Sequence, residues 1–123
     1  MESSPANLQE RKRLNDDIER TFMSVSYQAA RIDTYNQTER GVTLLDLYEM
    51  FYLEFDHLVI LTGDLKHMRQ SQTIVDETDT WLKDKPKLLT DTQIASRLSE
   101  GVRIFRIYKK VLVDQGVISL PSR

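Results

Sequence analysis

Cysteine is absent from the sequence, which excludes disulfides and thiolate-based zinc or redox sites and fits a cytosolic protein. Glycine and proline are scarce, four and three residues in 123, leaving little material for the tight turns of a β-sandwich. Histidine occurs only twice, at His57 and His67, so nucleophilic triads have little raw material. No Gly-rich phosphate loop, no Gly-x-Ser-x-Gly and no His pair at metalloprotease spacing is present. The sequence supports no enzyme class and no cofactor.

Long uncharged apolar runs are missing as well. The most apolar stretch, residues 44–61, contains Asp46, Glu49, Glu54, Asp56 and His57, which argues for a buried helix and against a membrane span. The opening "MESSPANLQERKR" has no apolar segment after a basic patch, unlike a secretory signal. What remains is ordinary for a folded domain: 40% hydrophobic and 29% charged residues, in a chain long enough for one core. Residues 1–123 are expected to form a single domain.

Net charge is −2, unevenly spread. Residues 42–84 carry nine acidic groups against three basic ones (Lys66, Arg69, Lys83), whereas residues 85–123 carry eight basic against three acidic. The two regions are complementary and are expected to face each other.

Capping signals divide the chain into helices. Ser4–Pro5 starts the first, and Ile18, Phe22, Val25, Ala29 and Ile32 repeat at alternating four- and three-residue spacing, as in coiled coils and bundles. The pattern fades through "YNQTER" before Gly41. Thr43 with Asp46 is a capping-box pair, with Val42 placed to staple to Leu47. The seam of the second helix is Leu44, Tyr48, Phe51, Phe55 and Leu58, continuing to Leu65 and Met68. Pro86 ends that segment; Thr90 with Gln93 and Leu89 with Ile94 then repeat the cap-and-staple pattern. Ile94, Leu98, Gly101, Phe105, Tyr108 and Leu112 form the last seam, with Gly101 allowing close backbone approach and Gly116 closing the helix. The fold class is therefore all-α: an antiparallel bundle of three long helices at about 5–39, 43–83 and 91–115, with a short apolar tail that folds back or docks on a partner. A break at 70–73, where Thr73 and Asp76 could cap a new start, would make four helices.

Two acid-x-x-His pairs, Glu54/His57 and Asp64/His67, have a spacing used by carboxylate-bridged metal proteins. They lie on one helix about 15 Å apart along its axis, too far to share a metal within a chain. Asp46, Glu49, Asp56, His57, Asp64 and His67 fall on one band of the helical wheel, as a solvated stripe would, and no metal site is assigned. Glu54 instead projects into the edge of the apolar arc. It is expected to meet a cation, reach the rim, or fix helix register and oligomer state.

That arc covers roughly 220° of residues 44–68, about twice what one neighbouring helix covers. The surplus predicts self-association, a homodimer first of all, or packing against another protein's helix. The residues expected at such an interface are Leu44, Tyr48, Phe51, Tyr52 and Phe55, with Leu58, Val59, Glu54 and, as an aromatic hot spot, Trp81. Arg103, Arg106 and Lys110 form an outward basic stripe. It either pairs with the acidic second helix or contacts phosphate in a nucleic-acid-associated accessory protein, the alternative function.

Overall fold

The computed structural model describes residues 5–35, 41, 43–63, 65, 68, 71–84, 87 and 90–118, with backbone alone for residues 5–7. Among these residues the chain is all-helical: α1 (Pro5–Asp33), α2 (Leu44–Thr62), α3 (Gln72–Lys83) and α4 (Asp91–Asp114). One hydrophobic cluster draws on all four, from Ile18 and Phe22 of α1 through Phe51 and Phe55 of α2 and Trp81 of α3 to Phe105 and Tyr108 of α4.

Both predicted capping boxes are present. The Asp46 amide donates to Thr43 Oγ1 (3.0 Å) while the Thr43 amide donates to the Asp46 carboxylate (3.2 Å). Thr90 and Gln93 repeat the exchange at 3.2 and 3.0 Å. Each box satisfies two backbone donors that a helix start leaves open. The far end of α4 is also closed as expected: Gly116 takes φ 73°, its amide donates to the Val113 carbonyl and that of Val117 to the Leu112 carbonyl. This is a Schellman motif, and it turns the tail so that Ile118 is buried in the core. The staple residues Val42 and Leu89, together with Ser4, Pro86 and residues 119–123, lie outside the described residues.

Two boundaries differ from the sequence expectation. The first helix stops at Asp33, not near 39. Thr34 Oγ1 donates to the carbonyls of Ala30 and Arg31, so its side chain takes up the last-turn acceptors. Gly41 still has a left-handed φ of 79°, but within the connection and not as a helix cap.

The second difference is larger. The expected helix 43–83 is divided, as in the four-helix alternative, but its first part already ends at Thr62, ahead of 70–73. α2 ends at Thr62, where Gly63 is the C-cap, and α3 begins at Gln72, one residue ahead of Thr73. Between them the amide of Leu65 donates to the Thr62 carbonyl, that of Met68 to Leu65 and that of Ser71 to Met68. Met68 is fully buried and pins the connection to the core.

α3 and α4 run antiparallel, with Trp81 against Arg97 and Gly101 and Glu77 against Arg103. A Cβ at Gly101 would fall 2.4 Å from Trp81 Cζ2, so the glycine is what lets the indole lie on the α4 backbone. At the end of α3, Arg97 donates through Nη2 to the carbonyls of Trp81 and Asp84, and Tyr52 donates to the carbonyl of Leu82 (2.5 Å). Side chains from α2 and α4 thus satisfy carbonyls that the terminus leaves unpaired. Burial pushes the Tyr52 phenol above its ordinary value, and the Asp56 carboxylate acts in the same direction.

Candidate interaction surface

The residues expected at a partner interface separate into two groups. Phe51, Phe55, Leu58 and Trp81 are buried in the chain's own core. The Trp81 ring centroid lies 5.8–6.2 Å from those of Tyr48, Phe51, Tyr52 and Phe55, so an intramolecular aromatic cluster occupies the predicted hot spot. Leu44, Tyr48, Tyr52 and Val59 are half-buried against the same core. The supply of neighbours corrects the expectation: α1 packs along α2, Phe105 and Tyr108 of α4 meet Phe51 and Phe55, and Trp81 of α3 completes the cover of the seam.

Glu54 is half-buried, one turn from Phe51 and from Leu58, and makes no ion pair with another described residue. His57 is exposed, while Asp64 and His67 lie outside the described residues. Among the described residues no three His, Asp or Glu side chains are grouped to hold a metal ion, and no helix is long and apolar enough to cross a membrane.

The basic stripe is occupied by carboxylates. Arg103 contacts Glu77 at 2.6 Å, Arg106 contacts Asp33, and Lys110 contacts Asp114 at 3.2 Å. A phosphate at this face would have to displace all three. The predicted complementarity between the acidic middle and the basic end is realised in the Arg103–Glu77 pair; Arg106 turns to α1 instead.

Apolar surface is present, but elsewhere on α2. Leu53 is 66% exposed, Ile60 69% and Met50 44%. They belong to a second four-three series, Asp46–Met50–Leu53–His57–Ile60, running along the side of α2 away from Phe51, Phe55 and Leu58. The band read as a solvated stripe is therefore half apolar. Met50 and Leu53, with Asp46, Glu49, Arg31 and Gly41, line a shallow groove beside the α1–α2 connection. A second groove of about 490 Å³ is lined by Val59, Ile60, Gly63, Met68 and Val75, with Asp79 the one ionisable group among the described residues.

α1 contributes a further uncovered segment. Every residue from Leu8 to Asp16 is exposed, and the core begins only at Ile18. Leu8 (55%) and Leu14 flank the continuation of the α1 core seam where it has no partner helix.

Sequence reasoning missed Met50, Leu53 and Ile60 because Asp46 and His57 alternate with them; the three-residue and seven-residue separations were the available signal. It also missed Arg97, a buried cation placed three residues after Ile94 and four before Gly101, inside the seam. Comparison with protein-family models, with curated proteins and with solved structures finds no match to this chain.

Proposed function

We propose that the chain is a non-enzymatic interaction or assembly module that works by self-association and helix packing. The observation that supports this is the exposed stripe Met50–Leu53–Ile60 on α2, the most apolar of the four helices. Isolated apolar side chains on a surface need no explanation, but three in helical register on one face, with only His57 between Leu53 and Ile60, make a largely apolar strip. Removing such a strip from water drives helix association at about 25 cal/mol per Å². The face is separate from the core, so it is complete before a partner arrives.

The test is mass in solution. The wild-type chain is expected to exceed its monomer mass of 14.4 kDa at micromolar concentration, and Leu53→Asp with Ile60→Asp is expected to return it to 14.4 kDa. Both side chains are about two-thirds exposed, so the double variant should keep its helical circular dichroism. A wild-type chain that remains a monomer at 100 μM or more would overturn the proposal.

A further inference from the structure

We infer that the surface covering the α2 stripe is the exposed first segment of α1, Leu8 to Asp16, from a second copy of this chain, exchanged reciprocally between the two. The inference rests on the self-association proposed above and adds which face meets which.

Charge decides between the two available pairings. α2 contains Asp46, Glu49, Glu54 and Asp56 and no Lys or Arg, so stripe-to-stripe pairing of two α2 helices would set four carboxylates against four. Like charges across an interface disfavour that arrangement. The α1 extension carries the opposite net sign: Arg11, Lys12 and Arg13 outnumber Glu10 and Asp16 between Leu8 and Asp16, all exposed, and none of the three basic groups is ion-paired to another described residue. Glu49 and Asp56, flanking the α2 stripe, likewise have no cationic partner among the described residues. An apolar strip edged with free carboxylates thus has its complement in a helix face where Arg11 stands between Leu8 and Leu14 and Lys12 beside Leu8.

Length agrees with charge. At 1.5 Å per residue the stripe from Met50 to Ile60 is about 15 Å long, and the exposed part of α1 from Leu8 to Asp16 is about 12 Å. A single contact of that length is small beside the roughly 800 Å² per partner of a stable interface. Reciprocal exchange makes the contact twice in one closed two-fold dimer and doubles the buried area.

Charge reversal tests the pairing. One variant carries Arg11→Glu, Lys12→Glu and Arg13→Glu; the other carries Glu49→Lys and Asp56→Lys, leaving the Asp46 cap intact. Each alone places like charges at both contacts of its own dimer and is expected to run at 14.4 kDa by light scattering in low salt. Mixed in equal amounts, they restore opposite charges at both contacts, and the mixture is expected to run at twice that mass. Unchanged circular dichroism would confirm that the exposed substitutions leave the fold intact. If wild type associates and Leu53→Asp/Ile60→Asp abolishes it, yet neither charge reversal lowers the mass, the α1 pairing is wrong and the α2 surface stands. Failure of the mixture to reassociate would equally overturn the pairing. A monomeric wild type would remove both.

Discussion

Replacing Gly101 by alanine is a stringent test of the α3–α4 packing, because two effects of opposite sign meet at that position. In an exposed helix interior, Gly→Ala stabilises by about 1 kcal/mol, since glycine loses more backbone entropy. At Gly101 the added Cβ would stand 2.4, 2.8 and 2.9 Å from Cζ2, Cε2 and Cη2 of Trp81, about 1 Å inside ordinary van der Waals contact. The indole has little room to retreat. Its Nε1–H donates to the Arg97 carbonyl at 3.2 Å, the Arg97 guanidinium lies 4.6 Å from its centroid, and four aromatic rings pack around it. α4 must therefore shift, and overpacking of this kind costs about 1–3 kcal/mol. The clash outweighs the propensity gain, and Gly101→Ala should lose up to about 2 kcal/mol. For a chain of this size that is a fall of up to roughly 8 °C in Tm. Thermal and urea unfolding followed by circular dichroism would read it. Ala95→Gly, on the exposed side of α4, should cost about 1 kcal/mol and so measure the propensity effect alone. Trp81→Phe removes the benzo edge, and in that background Gly101→Ala should become neutral or stabilising. Two results would refute the packing described: a Gly101→Ala variant that melts higher than wild type, or an equal loss from Gly101→Ala whether or not Trp81→Phe is present.

Two further predictions concern buried polar groups. Arg97→Met should destabilise by about 2–4 kcal/mol, because the carbonyls of Trp81 and Asp84 lose their donor at the end of α3. Asp84→Asn should cost less than about 1 kcal/mol, since that carboxylate is mostly exposed and 3.5 Å from the guanidinium. Equal losses in urea titrations of the two variants would show that the ion pair, not the cap, matters. Tyr108 gives a pH dependence. Burial pushes its phenol up to about 12 from an ordinary value of 10.0, with the Asp79 carboxylate adding to the shift. Between those values the native state keeps a proton that the unfolded chain releases. The stabilisation is thus complete below pH 10 and is lost as pH rises through 12, at about 1.4 kcal/mol per unit. Tyr108→Phe should flatten the decline of stability above pH 10, and an unchanged slope would contradict the assignment.

Caps were the most legible feature because they are local. Thr43/Asp46, Thr90/Gln93 and Gly116 each need only neighbouring residues, and each forms the hydrogen bonds its spacing implies. The break after Thr62 was harder to see. Leu65 and Met68 continue the three-four pattern of Leu58 and Leu61 across it, and both face the core. Hydrophobic periodicity alone does not separate a continuous helix from a chain that leaves the helix and keeps the same residues on the core. The consequence for the candidate site was large: Trp81 of α3 joins side chains of α1 and α4 over α2, so Phe51, Phe55 and Trp81 pass from the interface to the core. Arg97 was passed over for a related reason. A cation on an apolar seam reads as a boundary residue until the helix end that it caps is in place.

The surplus of apolar surface on α2 is real, although its location differs from the one the seam suggested. Two four-three series share this helix, and the fold uses only one. Leu47, Phe51, Phe55 and Leu58 are fully buried, whereas Met50, Leu53 and Ile60 remain in water. The same imbalance appears in α1, which has 29 residues against 19 in α2 and extends its seam past the last neighbour available to it. Neither surplus can be relieved within the chain by α3 or α4, because both are already committed to Trp81, Phe105 and Tyr108 in the core. A protein that keeps one uncovered stripe edged with carboxylates and one uncovered extension of net positive charge has two unmet surfaces of opposite sign. Pairing them across two copies satisfies both at once, whereas pairing either with itself satisfies neither.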